Sequence, residues 1–163
     1  MANAGHTVVI VKQPLGIAFL AMGALDAART TDTSVRDWVV GGHSLGGTVA
    51  AMDAARTPSA GAAPVTGLLL FASYPADDLS GSSDLAVESV SGTRDGLATP
   101  EKIGASRADL PADADFTVIE GASHAQFGDY GPQAGDGTPT ISHDDARAQI
   151  SSAATSFLER LAG

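Results

Sequence analysis

The stretch Trp38-Val39-Val40-Gly41-Gly42-His43-Ser44-Leu45-Gly46-Gly47 constrains this chain more than any other, because it joins a β-branched run to a small-residue helical segment through a glycine-flanked serine. A Gly-x-Ser-x-Gly pattern alone is weak in a chain with 19 glycines, so the flanks carry the inference. Trp38 to Val40 reads as a short buried strand. Leu45 to Arg56, with Val49, Ala50, Met52 and Ala54, reads as the helix that follows. A serine on such a turn is displayed clear of the sheet only if nothing beside it collides, and Gly42 and Gly46 remove the Cβ atoms two positions to either side. Leu45 opens the helix, so its N–H faces any negative oxygen formed beside Ser44. His43 adjoins Ser44 on the tight turn and is expected to point elsewhere.

The remaining segments predict strands separated by helices or long crossovers. Thr7 to Val11 is a continuous β-branched run, suited to a strand covered on both faces. From Leu15 to Ala28, residues Ile17, Leu20, Ala21, Ala24, Leu25 and Ala28 fall at helical spacing. Gly67 to Ala72, Leu85 to Ser91 and Phe116 to Glu120 read as further strands. A Gly-, Pro- and Asp-rich segment follows, either a flap or a plain surface loop. The last helix starts at the N-cap Ser142 with Asp145 three residues on, and carries Ile150, Ala154, Phe157, Leu158 and Leu161 on one stripe. The pattern predicts one α/β domain over residues 1–163, a three-layer α/β/α sandwich on an open, mostly parallel sheet of about five strands. Only the short Pro75 to Asp84 loop stands where a cap would be inserted, so no cap domain is expected.

Composition excludes several functions. At 163 residues the chain can bury roughly 70% of its unfolded surface without staples. The absence of cysteine rules out a disulfide framework, a thiol nucleophile and cysteine-ligated zinc. A net charge of −10, with Lys12 and Lys102 the only lysines, argues against nucleic acid or an anionic membrane surface as partner. Met1 to His6 has neither a charged n-region nor a long apolar core, and no segment has about 18 consecutive apolar residues. The expectation is a soluble, cytoplasmic protein.

Hydrolysis of an ester or amide by a serine requires a neutral imidazole to take the hydroxyl proton and a carboxylate to orient that imidazole. Both belong at the carboxyl ends of strands, beside the serine turn. His124 follows the Phe116 to Glu120 strand, whereas His6 precedes the first strand and His143 begins the last helix. Asp95 follows the Leu85 to Ser91 strand; Asp77 and Asp78, after the Gly67 to Ala72 strand, are its rivals.

Three segments together resemble the α/β-hydrolase superfamily: Gly42-His43-Ser44-Leu45-Gly46-Gly47, Gly92-Thr93-Arg94-Asp95-Gly96 and Ser123-His124-Ala125-Gln126-Phe127-Gly128-Asp129-Tyr130-Gly131. The chain is most similar to a small bacterial branch loosely related to dienelactone hydrolases, and departs from the latter in having a serine where they carry a cysteine. The Gly92-x-x-Asp95-Gly96 turn and Pro100 resemble the family's acid loop. The resemblance implies Ser44 as nucleophile, Asp95 as acid, His124 as base, the Leu45 N–H as an oxyanion donor, and no cofactor or metal. It does not imply a substrate. Candidate walls of the pocket are Phe71, Tyr74, Leu97, Phe127 and Tyr130, whose placement suggests a small acyl or alkyl group. The expected activity is that of a serine carboxylesterase working through an acyl-enzyme on a small-molecule ester; the alternative is a catalytically weak or silent relative with a binding or assembly role.

One departure bears on the architecture. Family members place a further strand between the one matching Thr7 to Val11 and the one bearing Ser44, and the loop after it supplies the second oxyanion N–H. Three outcomes are open. The first strand moves beside the Ser44 strand, bringing the Gln13-Pro14-Leu15-Gly16 turn to the oxyanion position; a second copy of the chain covers the exposed edge as a homo-oligomer; or the sequence is a fragment.

Overall fold

In the computed structural model, which describes residues 5–12, 18–21 and 23–163, the sheet has four strands, all parallel and in the order β1-β2-β3-β4. They are β1 (Trp38–His43), β2 (Val65–Phe71), β3 (Ala86–Gly92) and β4 (Asp115–Ile119). The helices are α1 (Ala24–Thr31), α2 (Leu45–Ala55), α3 (Pro100–Ala105) and α4 (His143–Ala162), with short 3₁₀ turns at Ala18–Ala21, Ser106–Asp109 and His124–Phe127.

Alternation along β2 builds the three layers. Leu68 and Leu70 face α2, where they pack with Ala50, Ala51, Val87 and Leu110. Leu69 points the other way, onto Ala154 and Phe157 of α4. The crossover from β2 to β3 contains no helix; its Leu79 and Leu85 plug the same core directly. Ser142 caps α4 as its sequence predicts, accepting from the Asp145 N–H at 3.0 Å. The small helix α3 has its own signals, Thr99 at the N-cap and Pro100 at the first turn.

The open parallel sheet with flanking helices is the expected fold class, but with four strands rather than about five. Among the described residues Thr7 to Val11 pairs with no strand of the sheet, and Val8, Val9, Ile10 and Val11 are exposed. The physical reason lies beside β1. A cavity of about 590 Å³ is lined on one wall by Thr7, Val8, Val9 and Val11, and on another by Trp38, Val39, Val40 and Gly41. Both segments line that space and, among the described residues, no ladder joins them, so the run is not the sheet neighbour of the Ser44 strand. The Gln13 to Gly16 turn and Ile17 lie outside the described residues. The helix expected over Leu15 to Ala28 is interrupted at Gly23, which has φ 84° and starts α1, and α1 continues to Thr31. Among the described residues no helix is long and apolar enough to cross a membrane.

Candidate active site

Ser44 sits between β1 and α2 with φ 52° and ψ −126°, a conformation that L residues rarely adopt. The surroundings hold it there. Its N–H donates to the Phe71 carbonyl at 3.0 Å, and its carbonyl accepts the Ser73 hydroxyl at 2.6 Å and the Gly47 N–H at 2.9 Å. A Cβ on Gly42 would collide with the Gly46 backbone, and one on Gly47 with Ser73. Among the described residues the only other non-glycine with positive φ is Ala72, at the tip of β2 and next to Ser73, so two strained residues brace one turn. The Leu45 N–H belongs to the first turn of α2, where helix geometry leaves donors without intrahelical acceptors.

Asp95 and His124 meet. His124 Nδ1 lies 2.8 Å from Asp95 Oδ2, with both side chains buried. The other oxygen of Asp95 accepts the N–H groups of Leu97 and Ala98, each at 2.8 Å. Because a carboxylate only accepts, this bond places a proton on Nδ1, and it is Nε2 that carries the lone pair whenever the imidazole is neutral. Nε2 is buried without a hydrogen-bond partner, so the Ser44 hydroxyl is not bonded to it in this structure. Asp77 and Asp78 are exposed on the loop after β2, and Asp78 is engaged by the Ser80 N–H. His143 lies at the start of α4 against the Gly128 carbonyl, and His6 lines the cavity beside β1.

The tips of β3 and β4 are stitched together around this pair. Thr93 N–H donates to the Ile119 carbonyl at 3.1 Å, Arg94 N–H to the Ala122 carbonyl at 2.9 Å, and Gly121 N–H to the Thr93 hydroxyl at 2.8 Å. A Cβ on Gly92 would collide with the Ala122 carbonyl, so glycine is required for the two loops to approach this closely. The Ser123 and Gln126 side chains form a capping box on the turn that opens with His124.

The histidine beside Ser44 does not point elsewhere. The His43 ring lies 4.6 Å from the His124 ring and stacks on Phe127 at 6.2 Å and Tyr130 at 5.7 Å. Its burial, reinforced by His124 close by, lowers its pKa from 6.5 to about 4. Adjacency in sequence does not set this direction, because His43 is the last residue of β1 and its ring packs among side chains from the loop after β4. Phe127 and Tyr130 thus gather around His43, next to His124. Phe71 instead packs into the α4-side core and reaches the cavity beside β1. Tyr74 packs with Phe127 against Ala72, Ala98 and Ile103, and Leu97 lies near Gly135. That large cavity is lined by Gly41, Gly46 and Phe71 but by neither Asp95 nor His124, and it reflects the open flank of β1 rather than the chemistry. Among the described residues no group of three His, Asp or Glu side chains converges for a metal ion.

Asp136 is a further neighbour that its sequence surroundings do not announce. Its carboxylate accepts backbone N–H groups from both the Asp95 loop and the His124 loop. The one local signal is its position between Gly135 and Gly137, which gives the chain freedom to fold around it.

Residues 1–148 match the family model described as the alpha/beta hydrolase family. A protein of unknown function from Agrobacterium tumefaciens superposes with a TM-score of 0.62 at 16% identity, over 96% of this chain and 65% of its own. A thermophilic esterase from Thermogutta terrifontis, solved with butyrate bound, gives 0.57 at 17% identity, over 89% of this chain and 66% of its own. A dienelactone hydrolase-like promiscuous phosphotriesterase from metagenomic libraries gives 0.54 at 19% identity, over 87% and 59%. At these identities the likeness is one of fold. The chain spans less than two thirds of the length of each of these three structures. No curated protein matches it.

Proposed function

Because the chain belongs to the alpha/beta hydrolase family, we propose that it is a serine hydrolase cleaving carboxylic esters of small acyl or alkyl groups through an acyl-enzyme. Ser44 Oγ attacks the ester carbonyl carbon while His124 Nε2 takes its proton, and Asp95 holds the imidazole in the required tautomer and stabilises the imidazolium. The oxyanion of the tetrahedral intermediate is received by the Leu45 N–H. Collapse expels the alcohol, which takes the proton back from His124, and water activated by the same nitrogen then releases the acid. The observation that carries this reading is the buried 2.8 Å pair of Asp95 and His124, with Nε2 left without a hydrogen-bond partner.

The aromatic group of His43, Phe127 and Tyr130 beside the base suits a short acyl chain, and the Thermogutta esterase was solved with butyrate, so p-nitrophenyl butyrate is the first substrate to try. Losing one oxyanion donor costs about 2.7–4 kcal/mol of transition-state stabilisation, so a site relying on Leu45 alone turns over slowly. The test is labelling with a fluorophosphonate, read by mass spectrometry, together with p-nitrophenyl butyrate turnover. Modification at Ser44 that disappears in Ser44→Ala and His124→Ala supports the reading. Turnover unchanged in Ser44→Ala overturns it.

A catalytically silent binding role is the second reading, favoured by the absence of a bond between the Ser44 hydroxyl and His124 Nε2. A wild-type chain that takes no label at Ser44 would favour it.

A further inference from the structure

Asp136 comes from the Gly-rich stretch between the His124 turn and α4, far in sequence from the acid it helps to hold. Its Oδ1 accepts the Gly96 N–H at 3.1 Å, the His124 N–H at 3.0 Å and the Gly137 N–H at 2.7 Å, and its Oδ2 accepts the Ala125 N–H at 2.8 Å. Gly96 directly follows Asp95, and His124 is the base itself. One carboxylate therefore ties the backbone of the acid loop to the backbone of the base loop. The fit around it is close: a Cβ on Gly96 would strike the Gly135 backbone, and one on Gly137 the Arg94 carbonyl.

Asp95 and His124 reach each other from two different strand tips, and their side-chain bond depends on where those tips lie relative to one another. We infer that Asp136 is a positioning residue, a carboxylate clamp that fixes the register of the Asp95 and His124 loops and so the geometry of the bond between the two side chains. The inference rests on the proposed serine hydrolase reading. Four N–H donors converging on one ionised group make strong, charge-assisted bonds. Burial raises the Asp136 pKa, but the bonds from Ala125, Gly96, His124 and Gly137 outweigh that and hold it below the ordinary carboxylate value. The clamp is therefore charged throughout the neutral range.

The test uses the whole chain with Asp136→Ala and Asp136→Asn, and with Asp129→Asn as a control on the same segment. Three quantities are read: the fluorophosphonate labelling rate, kcat and KM on p-nitrophenyl butyrate, and the low-field NMR resonance of the His124 Nδ1–H bonded to Asp95. In Asp136→Ala, kcat and the labelling rate are expected to fall on the order of 10²-fold with KM little changed, since misplacement by about 1 Å costs that much. The Nδ1–H resonance should broaden or move. Asp136→Asn keeps one oxygen for three of the donors and should lie between wild type and Asp136→Ala, while Asp129→Asn should match wild type. A labelling rate and resonance unchanged in Asp136→Ala, or in Asp136→Asn if the alanine variant does not fold, overturn the inference. If the wild-type chain takes no label, the hydrolase reading fails on its own, and the Nδ1–H resonance still decides the role of Asp136.

Discussion

The His43 ring leans on the His124 ring with centroids 4.6 Å apart and planes tilted by 46°. Burial first, and His124 second, lower the His43 pKa from 6.5 to about 4, against the smaller opposing pull of Asp95 and Asp136. Between these values the unfolded chain binds a proton that the folded chain refuses. The stability held by neutral His43 is thus complete above about pH 6.5 and is lost as pH falls from there through about 4. Its size is at most about 3 kcal/mol, reduced because the ring is part-exposed and solvent screens it. Urea midpoints should fall between pH 7 and 4.5 in wild type and fall less in His43→Phe, which keeps the ring and cannot take the proton. Parallel losses in both proteins would assign the effect to other groups.

Asp95→Asn should leave the fold in place and remove the activity. An amide at this position can present N–H to Nδ1, which drives the proton to Nε2 and takes away the base. In serine proteases the equivalent change lowers kcat by about 10⁴-fold, and a similar loss is expected here on p-nitrophenyl butyrate. Circular dichroism and the urea midpoint separate this from unfolding. Retention of more than a tenth of the wild-type kcat would mean that Asp95 does not set the tautomer.

Ser44 carries a conformation that suits glycine, with φ 52° and ψ −126°. Ser44→Ala keeps that strain, whereas Ser44→Gly relieves it. After the entropic cost of glycine is counted, Ser44→Gly is expected to be more stable than Ser44→Ala by about 1 kcal/mol. Both should be inactive. Equal thermal midpoints for the two would show that the turn is not strained.

Glu88 is buried on β3, where it accepts the Thr117 hydroxyl at 2.7 Å and meets Arg160 of α4 at 3.1 Å; Arg160 also reaches Asp115 at 2.8 Å. Arg160→Ala leaves a buried carboxylate short of a partner, at a cost of roughly 1–3 kcal/mol. The chemical denaturation midpoint should fall while the rate of Ser44 labelling stays at the wild-type value. A change in that rate would show that the two ends of the sheet communicate.

The strands and helices that carry the site were legible because their signals are local. Val39 and Val40 before a glycine-flanked serine, the Leu68 to Phe71 block, and Ser142 with Asp145 each announce an element within a few residues. That His124 and Asp95 lie close together is legible from their positions, as polar residues just beyond strand tips. Thr7 to Val11 shows the limit of such reasoning: β-branched residues predict an extended chain, but a strand also needs a neighbour, which local sequence does not supply. The Asp136 clamp was hidden for a related reason. Its partners lie 11, 12 and 40 residues away, and nothing in Gly135-Asp136-Gly137 says which loop the carboxylate will meet. His43 lies against His124 rather than pointing away, because adjacency to Ser44 says little about where a side chain goes at the end of a strand.

All four strands run the same way, so the serine, imidazole and carboxylate collect at one rim of the sheet while Glu88, Asp115 and Arg160 meet toward the other. From Glu88 to Gly92, at the tip that leads to Asp95, the extended backbone covers about 13 Å. Free-energy changes from substitutions that far apart add rather than interact. Reinforcement of the far rim can therefore offset losses incurred when the reactive rim is reshaped, which makes this small scaffold divisible into a part that supplies robustness and a part that is open to redesign.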